Sequence, residues 1–188
     1  MACTDRKAAS TSILVDSSCL RTGDVVFRRG SGLTSHAVLI AEQGGVYSHV
    51  GIVVDSAGVP MIVHAVPDEP DFEGDEDRVK MERPEVFFNE VHAVCGEVRR
   101  HQDSLLARRA ADVAMQVYRR HTLFDHDYDD ADTTRMYCTE LITYAFSRAG
   151  RPLSGIRHHG LTFLDISTDC VLPSDILECK DLNQIIQF

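Results

Sequence analysis

The sequence predicts an α+β domain in which an antiparallel sheet carries helices packed on one side. Residues 46–55 (VYSHVGIVVD) and 59–67 (VPMIVHAVP) are rich in β-branched and apolar residues. The turn-forming residues 56–58 separate them, so the two runs predict a β-hairpin. Between Gln102 and His121 the apolar residues recur at helical spacing, and a second helical pattern runs from Cys138 to Arg148. These features together define the predicted fold class.

The other elements are shorter. A turn at 22–24 precedes a buried strand at Val25–Phe27, and the Asp- and Glu-rich segment 67–80 is typical of a surface loop. Further predicted elements, in chain order, are a helix over 35–43 capped by Thr34–Ser35 and stopped by Gly44–Gly45, strands at 85–91, 93–98 and near 162–166, and a last helical turn from Pro173.

Length and charge restrict the classes of protein to be considered. A chain of 188 residues with 44% hydrophobic and 26% charged residues is sufficient for one domain with a core. The net charge of −10 disfavours binding to nucleic acid or to an anionic membrane through a basic face. Residues 1–19 are small and polar, which predicts a loosely ordered leader ahead of a single domain at 20–188.

The same composition gives expectations about location. The N-terminus has no apolar stretch of the length found in signal peptides, and no run approaches the ~18 apolar residues of a membrane span. The six cysteines are scattered and form no C-x-x-C pair. We therefore expect a protein made in the cytoplasm, with free thiols and no integral membrane segment.

Cys138 is the first candidate for chemistry because it stands at the start of the helix predicted at 138–148. Backbone N–H groups in the first turn of a helix have no partner within the helix, and they can stabilise a thiolate or an oxyanion. The alternative is a buried structural cysteine, which is the commonest fate of a free cysteine. Position alone leaves both interpretations open.

A nucleophilic thiol needs a base, and the predicted hairpin carries two histidines. By alternation, Tyr47, His49 and Gly51 share one face of the first strand, and His64 lies on the second strand. Gly51 removes a side chain where a substrate or another backbone could approach. A turn at Ala57–Gly58 places 49 opposite about 65, so a shift of one residue brings His49 and His64 together, and the sequence leaves this register open.

Four strings, in the order GDVVF, SHVGIVV, VHA and YCTELITYAF, resemble circularly permuted papain-like cysteine hydrolases. This group is the YiiX/YebB-like branch of the NlpC-type amidases, related to lecithin:retinol acyltransferase. The resemblance spans roughly Leu20 to Ile176. It implies a permuted papain-like catalytic domain at 20–188, with Cys138 as nucleophile, His49 as general base and His64 as the group that orients His49.

The resemblance also implies a reaction and a substrate class. The expected activity is amide hydrolysis by a cysteine amidase or peptidase without metal or organic cofactor, and bacterial cell-wall peptides (peptidoglycan) are the first substrate by analogy of fold. A protein made in the cytoplasm does not meet the wall, so export by a signal-independent secretion system, as for an antibacterial toxin effector, is one resolution. Such an effector would have an immunity or inhibitor protein as partner.

Two further classes stay open. A lipid acyltransferase or thioesterase of the lecithin:retinol acyltransferase type would have an apolar tunnel beside Cys138, whereas a non-catalytic binding module would be expected to have lost one of the three site residues. Tyr47 and Tyr137 are candidates for lining the substrate cleft, with packing as the alternative role.

The loop FDHDYDDAD suggests Ca²⁺ because it brings Asp residues at 125, 127, 129, 130 and 132 together. An EF-hand loop beginning at Asp125 would need Gly and Glu where Asp130 and Met136 stand. Cysteine and histidine spacing also lacks a zinc pattern. The sequence therefore predicts no metal site, and the loop is interpreted as a solvated segment before the Cys138 helix.

Overall fold

A computed structural model describes residues 11–42, 44–163 and 166–188. Within these ranges the chain forms an eight-stranded sheet in the order β10-β5-β1-β2-β3-β4-β6-β7, and a separate hairpin of β8 and β9. Neighbouring strands of the sheet are antiparallel except β6 and β7, which are parallel. The predicted combination of a largely antiparallel sheet with helices is confirmed.

The strands are β1 (Val25–Arg29), β2 (His49–Ser56), β3 (Val59–Val66), β4 (Arg78–Glu82), β5 (Cys95–His101), β6 (Leu123–Phe124), β7 (Arg135–Met136), β8 (His159–Phe163), β9 (Ile166–Cys170) and β10 (Leu182–Gln187). The α-helices are α1 (Leu33–Ala41), α2 (Pro84–Phe87), α3 (Ser104–Arg119), α4 (Cys138–Arg148) and α5 (Pro173–Leu177), and a 3₁₀ turn occupies Ser17–Cys19.

Two apolar clusters lie on the two faces of the sheet. The larger cluster joins α3 and α4 to side chains such as Val50, Ile52 and Val63. The smaller one contains Val53 and Ile62 with α2 and the segment before β1. The sheet is therefore covered on both faces, whereas the sequence predicted helices on one side only.

The β2–β3 hairpin has the register that its turn imposes. Ala57 and Gly58 have φ of 55° and 82°, the positive values of a two-residue turn whose twist matches paired strands. Residue 59 then faces 56, and the ladder continues to the Ile52–Val63 pair. Continued at this spacing, position 64 falls opposite Gly51 and diagonal to His49 on the same face.

Several sequence predictions were wrong in detail. Residues 84–87 are helical because Pro84 at the first helical position presets a helical φ, so the strand predicted at 85–91 is absent. Residues 78–80 belong to β4, so the surface loop predicted at 67–80 is shorter than expected. Helix α1 begins at Leu33 after Gly32, without the predicted side-chain cap. Of the strand predicted near 162–166, residues 164 and 165 lie outside the described residues.

Part of the segment before β1 contacts the domain. The Ile13 N–H donates to the Phe88 carbonyl at 2.8 Å, and Leu14 is buried in the smaller cluster. The division into a leader at 1–19 and a domain at 20–188 stays a prediction. No helix in the described ranges is long and apolar enough to cross a membrane.

Gly51 is the close-packed point of the hairpin. A Cβ added there would lie 2.8 Å from Cγ2 of Ile62 and 3.2 Å from Cβ of His64. We expect Gly51→Ala to lower the free energy of unfolding by about 1–3 kcal/mol, the usual cost of overpacking. Urea denaturation measures it. The control is Gly160→Ala, whose Cβ meets nothing within 4 Å, and equal stability of the two variants would contradict the packing.

Candidate active site

Two buried histidines meet across the hairpin. The His49 Nε2 and His64 Nδ1 atoms lie 2.9 Å apart, and the rings are nearly perpendicular, with an interplanar angle of 76°. Both rings pack against Phe87 of α2, with centroid distances of 5.7 and 5.0 Å. The structure thus brings together two of the three residues that the resemblance singled out.

A carboxylate that the sequence analysis did not single out extends this pair. Glu82 Oε2 lies 3.2 Å from His64 Nε2, and Lys80 Nζ lies 3.4 Å from Glu82 Oε1. Burial opposes ionisation of Glu82, but its close contact with His64 and the positive charges of Lys80 and Arg28 lower its pKa to about 2. The sequence does contain a sign of this position. Glu82 is the last residue of RVKME (78–82), in which polar and apolar residues alternate as they do in a half-buried strand.

Arg28 is the buried cation of this neighbourhood. Its guanidinium pairs with Glu69, donates to the Phe87 carbonyl at 2.9 Å and lies 4.6 Å from the centre of the Phe87 ring. Burial, with Arg28 adding repulsion, lowers the pKa of His49 well below 6.5, and burial also lowers that of His64 despite Glu82. Both imidazoles are therefore neutral near pH 7.

Cys138 is the first residue of α4, as predicted, and is half-buried. Its sulfur interacts with the backbone N–H groups of Val50, Thr139 and Cys138 itself. The Val50 N–H is available because the β2–β3 ladder ends at Ile52–Val63. Since Val50 follows His49 directly, the sulfur lies beside the strand segment that carries His49.

The charge state of Cys138 differs from the expectation. The sequence predicted a thiol whose pKa is lowered by the helix N-terminus, and the N–H groups do act in that direction. Burial outweighs them, however, and raises the pKa of Cys138 to about 12. The resting sulfur is therefore a neutral thiol.

The two tyrosines lie in the core. Tyr47 precedes β2, packs against Phe27 in the larger cluster and donates its hydroxyl hydrogen to Glu97 at 2.9 Å. It therefore does not share the His49 face as alternation predicted, because regular strand geometry begins only at His49. Tyr137 is buried, and its hydroxyl accepts the Val171 N–H at 3.3 Å. Neither position supports a role in lining a cleft.

Glu140 and the Asp-rich loop have local structural roles. Glu140 accepts the Tyr137 N–H and caps α4, and burial raises its pKa to about 8. In the loop, Asp125 accepts the N–H groups of Asp127 and Asp129. Among the described residues, no group of three or more His, Cys, Asp or Glu side chains is placed to hold a metal ion.

A cavity of about 180 Å³ opens beside His49. Its wall includes Arg28, Asp68 and Glu69 on one side and the first turn of α1, with Leu33, on the other. The lining is mixed: it combines these charged groups with serine and threonine hydroxyls and a few apolar side chains, of which Leu33 belongs to the helix.

The sheet and its helices form a mixed α+β fold that is similar to the fold of yiiX. One solved structure that matches is the metalloprotein yiiX from Escherichia coli O157:H7, described with DUF1105, at a TM-score of 0.70. The match covers 89% of this chain and 97% of that chain, at 18% sequence identity. Neither the family models nor the curated protein sequences that were compared match this chain.

The resemblance to YiiX-like proteins is thereby confirmed at the level of the fold. The relationship to NlpC-type amidases and to lecithin:retinol acyltransferase stays a prediction, as does the circular permutation.

The depressed histidine pKa values predict a pH-dependent stability. In the unfolded chain these histidines bind protons as the pH falls through about 6.5, whereas the folded protein keeps them neutral. The free energy of unfolding therefore falls between pH 7.5 and 5.5, which urea denaturation measures. The double variant His49→Gln/His64→Gln should weaken this dependence. If ¹⁵N NMR of the folded protein shows either histidine ring titrating at or above pH 6.5, the lowered pKa values are contradicted.

Proposed function

We propose that this protein is a cysteine hydrolase that cleaves an amide bond by acyl transfer. Cys138 is the nucleophile, His49 the general base and His64 the group that orients His49. The observation that carries the proposal is the buried His49–His64 contact of 2.9 Å, next to the Val50 N–H that interacts with the Cys138 sulfur. A nucleophile, a base and an orienting group are the parts of a thiol-hydrolase triad.

The first half-reaction starts from neutral groups. His49 is engaged with His64 through Nε2, which leaves Nδ1 to accept the Cys138 proton as the sulfur attacks the substrate carbonyl. The S–C bond forms, and the carbonyl oxygen becomes an oxyanion that N–H groups at the start of α4 can stabilise. The carbon–nitrogen bond then breaks, and the amine leaves with the proton held by His49.

The second half-reaction returns the enzyme to its starting state. Water attacks the thioester carbonyl while His49 takes one of its protons. The C–S bond breaks, the acid leaves, and the proton on His49 returns to the Cys138 sulfur. The two half-reactions together require no oxidant, reductant or cofactor.

The leading substrate is a peptide amide, with bacterial cell-wall peptides first. The charged side chains Arg28, Asp68 and Glu69 in the cavity beside His49 favour a substrate with polar groups. Synthesis in the cytoplasm followed by export through a signal-independent secretion system is part of this proposal, and an immunity or inhibitor protein is the partner that it entails.

A second candidate is transfer or hydrolysis of a lipid acyl group. Helix α1 has no buried residue, and its Leu33 and Ile40 are 90% and 77% exposed. Residues 33, 37 and 40 follow helical spacing and form an apolar stripe, which reaches the cavity beside His49 at Leu33. An acyl chain could lie along this stripe, although its neighbourhood is more polar than the predicted apolar tunnel.

A metal does not enter the proposed mechanism. The yiiX structure is described as a metalloprotein, but in the described residues of this chain no group of three or more His, Cys, Asp or Glu side chains is placed to hold a metal ion. His64 in particular is engaged by His49 and Glu82 on its two ring nitrogens. Thus the donor set does not fit a resident ion.

Replacement of the nucleophile tests the proposed reaction. We expect Cys138→Ala to lose at least about 10³-fold of amide-hydrolysis activity, because covalent catalysis is removed. Purified protein would be incubated with muropeptides and with a panel of peptide amides, and products quantified by mass spectrometry. Cys19→Ser is the matched control. Equal turnover by wild type and Cys138→Ala would refute the mechanism.

A substrate comparison separates the classes of function. The wild type would be assayed with muropeptides, thioesters and dispersed phospholipid esters, and the acyl adduct on Cys138 identified by peptide mapping. We expect the adduct to form with peptide substrates. If an adduct forms with lipid esters alone, and the double variant Leu33→Ser/Ile40→Ser reduces its yield, the lipid enzyme is favoured instead. If no substrate gives an adduct or turnover, a binding module is favoured.

A further inference from the structure

We propose that Glu82 is a positioning residue that selects the tautomers of both site histidines and so leaves His49 able to accept a proton at Nδ1. The proposal rests on the function proposed above, because it assigns Glu82 a role in preparing the same base. Neither the resemblance nor the yiiX match assigns this residue a role.

The three side chains run across three neighbouring strands on one face of the sheet. In the β3–β4 register, His64 faces Lys80 and Ile62 faces Glu82. Glu82 therefore lies diagonal to His64, as His64 lies diagonal to His49. The distances along this row are 2.9 Å between the rings and 3.2 Å from His64 Nε2 to Glu82 Oε2.

The tautomer follows from what each group can donate. An ionised carboxylate only accepts hydrogen bonds, so a proton is favoured on His64 Nε2. In a neutral imidazole, His64 Nδ1 is then an acceptor and receives the hydrogen on His49 Nε2. His49 Nδ1 consequently carries the lone pair, which is the atom that must accept the thiol proton.

The opposite arrangement is unfavourable for the same reason. A hydrogen on His64 Nδ1 would leave the Nε2 lone pair facing the Glu82 oxygen, and two acceptors at 3.2 Å repel. It would also make His49 Nε2 the acceptor and place the hydrogen on Nδ1, where it blocks proton transfer from Cys138. The charge on Glu82 thus selects the tautomer in which His49 Nδ1 can accept a proton.

The charged groups around Glu82 keep it ionised. Lys80 lies 3.4 Å away and also pairs with Asp71 at 2.7 Å, while the Arg28 charge acts on Glu82 and both histidines. Glu69, which also acts on His64, is paired with Arg28. Glu82 is therefore the carboxylate in direct reach of His64.

The direct test is ¹⁵N NMR of the histidine rings in Cys138→Ala at pH 7.5, with and without Glu82→Gln. We expect His49 protonated at Nε2 when Glu82 is present, and a measurable population protonated at Nδ1 when glutamine, which can donate to His64 Nε2, replaces it. His49 protonated mainly at Nδ1 in the protein with Glu82, or an unchanged tautomer with Glu82→Gln, would overturn the proposal.

Kinetics give a second readout. We expect Glu82→Gln to lower kcat by about 10–100-fold with little change in KM, and Glu82→Asp, which keeps the carboxylate, to recover part of the rate. Glu85→Gln, at an exposed position of α2, is the matched control. Unchanged kcat in Glu82→Gln would contradict the role.

The NMR result separates failure of this proposal from failure of the proposed function. Inactivity of the wild type on every substrate would overturn the proposed function, yet the ring tautomers would still report whether Glu82 selects them.

Discussion

The candidate site depends on the register of the β2–β3 hairpin. Ala57 and Gly58 adopt positive φ, so residue 59 faces 56 and every later pair follows. A register one residue different would place His64 on the opposite face from His49, because side chains alternate along a strand. The histidine contact therefore follows from one two-residue turn, and Glu82 joins the row through the separate β3–β4 register.

Burial is the second constraint, because it sets the charge of the reacting groups. The histidines, Cys138 and Arg28 are taken from water together, which lowers the pKa of both imidazoles and raises that of the thiol. An isolated buried cation would be costly, but Arg28 is paired with Glu69 and packs over Phe87. The two histidines and the thiol are therefore all neutral near pH 7.

Patterns of local origin were predictable from the sequence. The Cys138 helix has the predicted ends at 138 and 148, and the hairpin strands lie where β-branched runs indicated them. Features set by tertiary contacts were not predictable. Tyr47 was assigned to the His49 face although the strand begins only at His49, and Glu82 was overlooked because only the pairing of β4 with β3 brings it to His64.

The helix that carries Cys138 packs on the face of the sheet opposite to His49. Helix α4 packs with Val50 and Ile52, whereas His49 points toward Phe87. The β2–β3 ladder ends at Ile52–Val63, and beyond this pair the Val50 N–H interacts with the Cys138 sulfur. A continuous ladder would use that N–H and separate the two faces by a closed sheet. The end of the ladder is therefore what gives a thiol on the helix face access to the strand that carries His49.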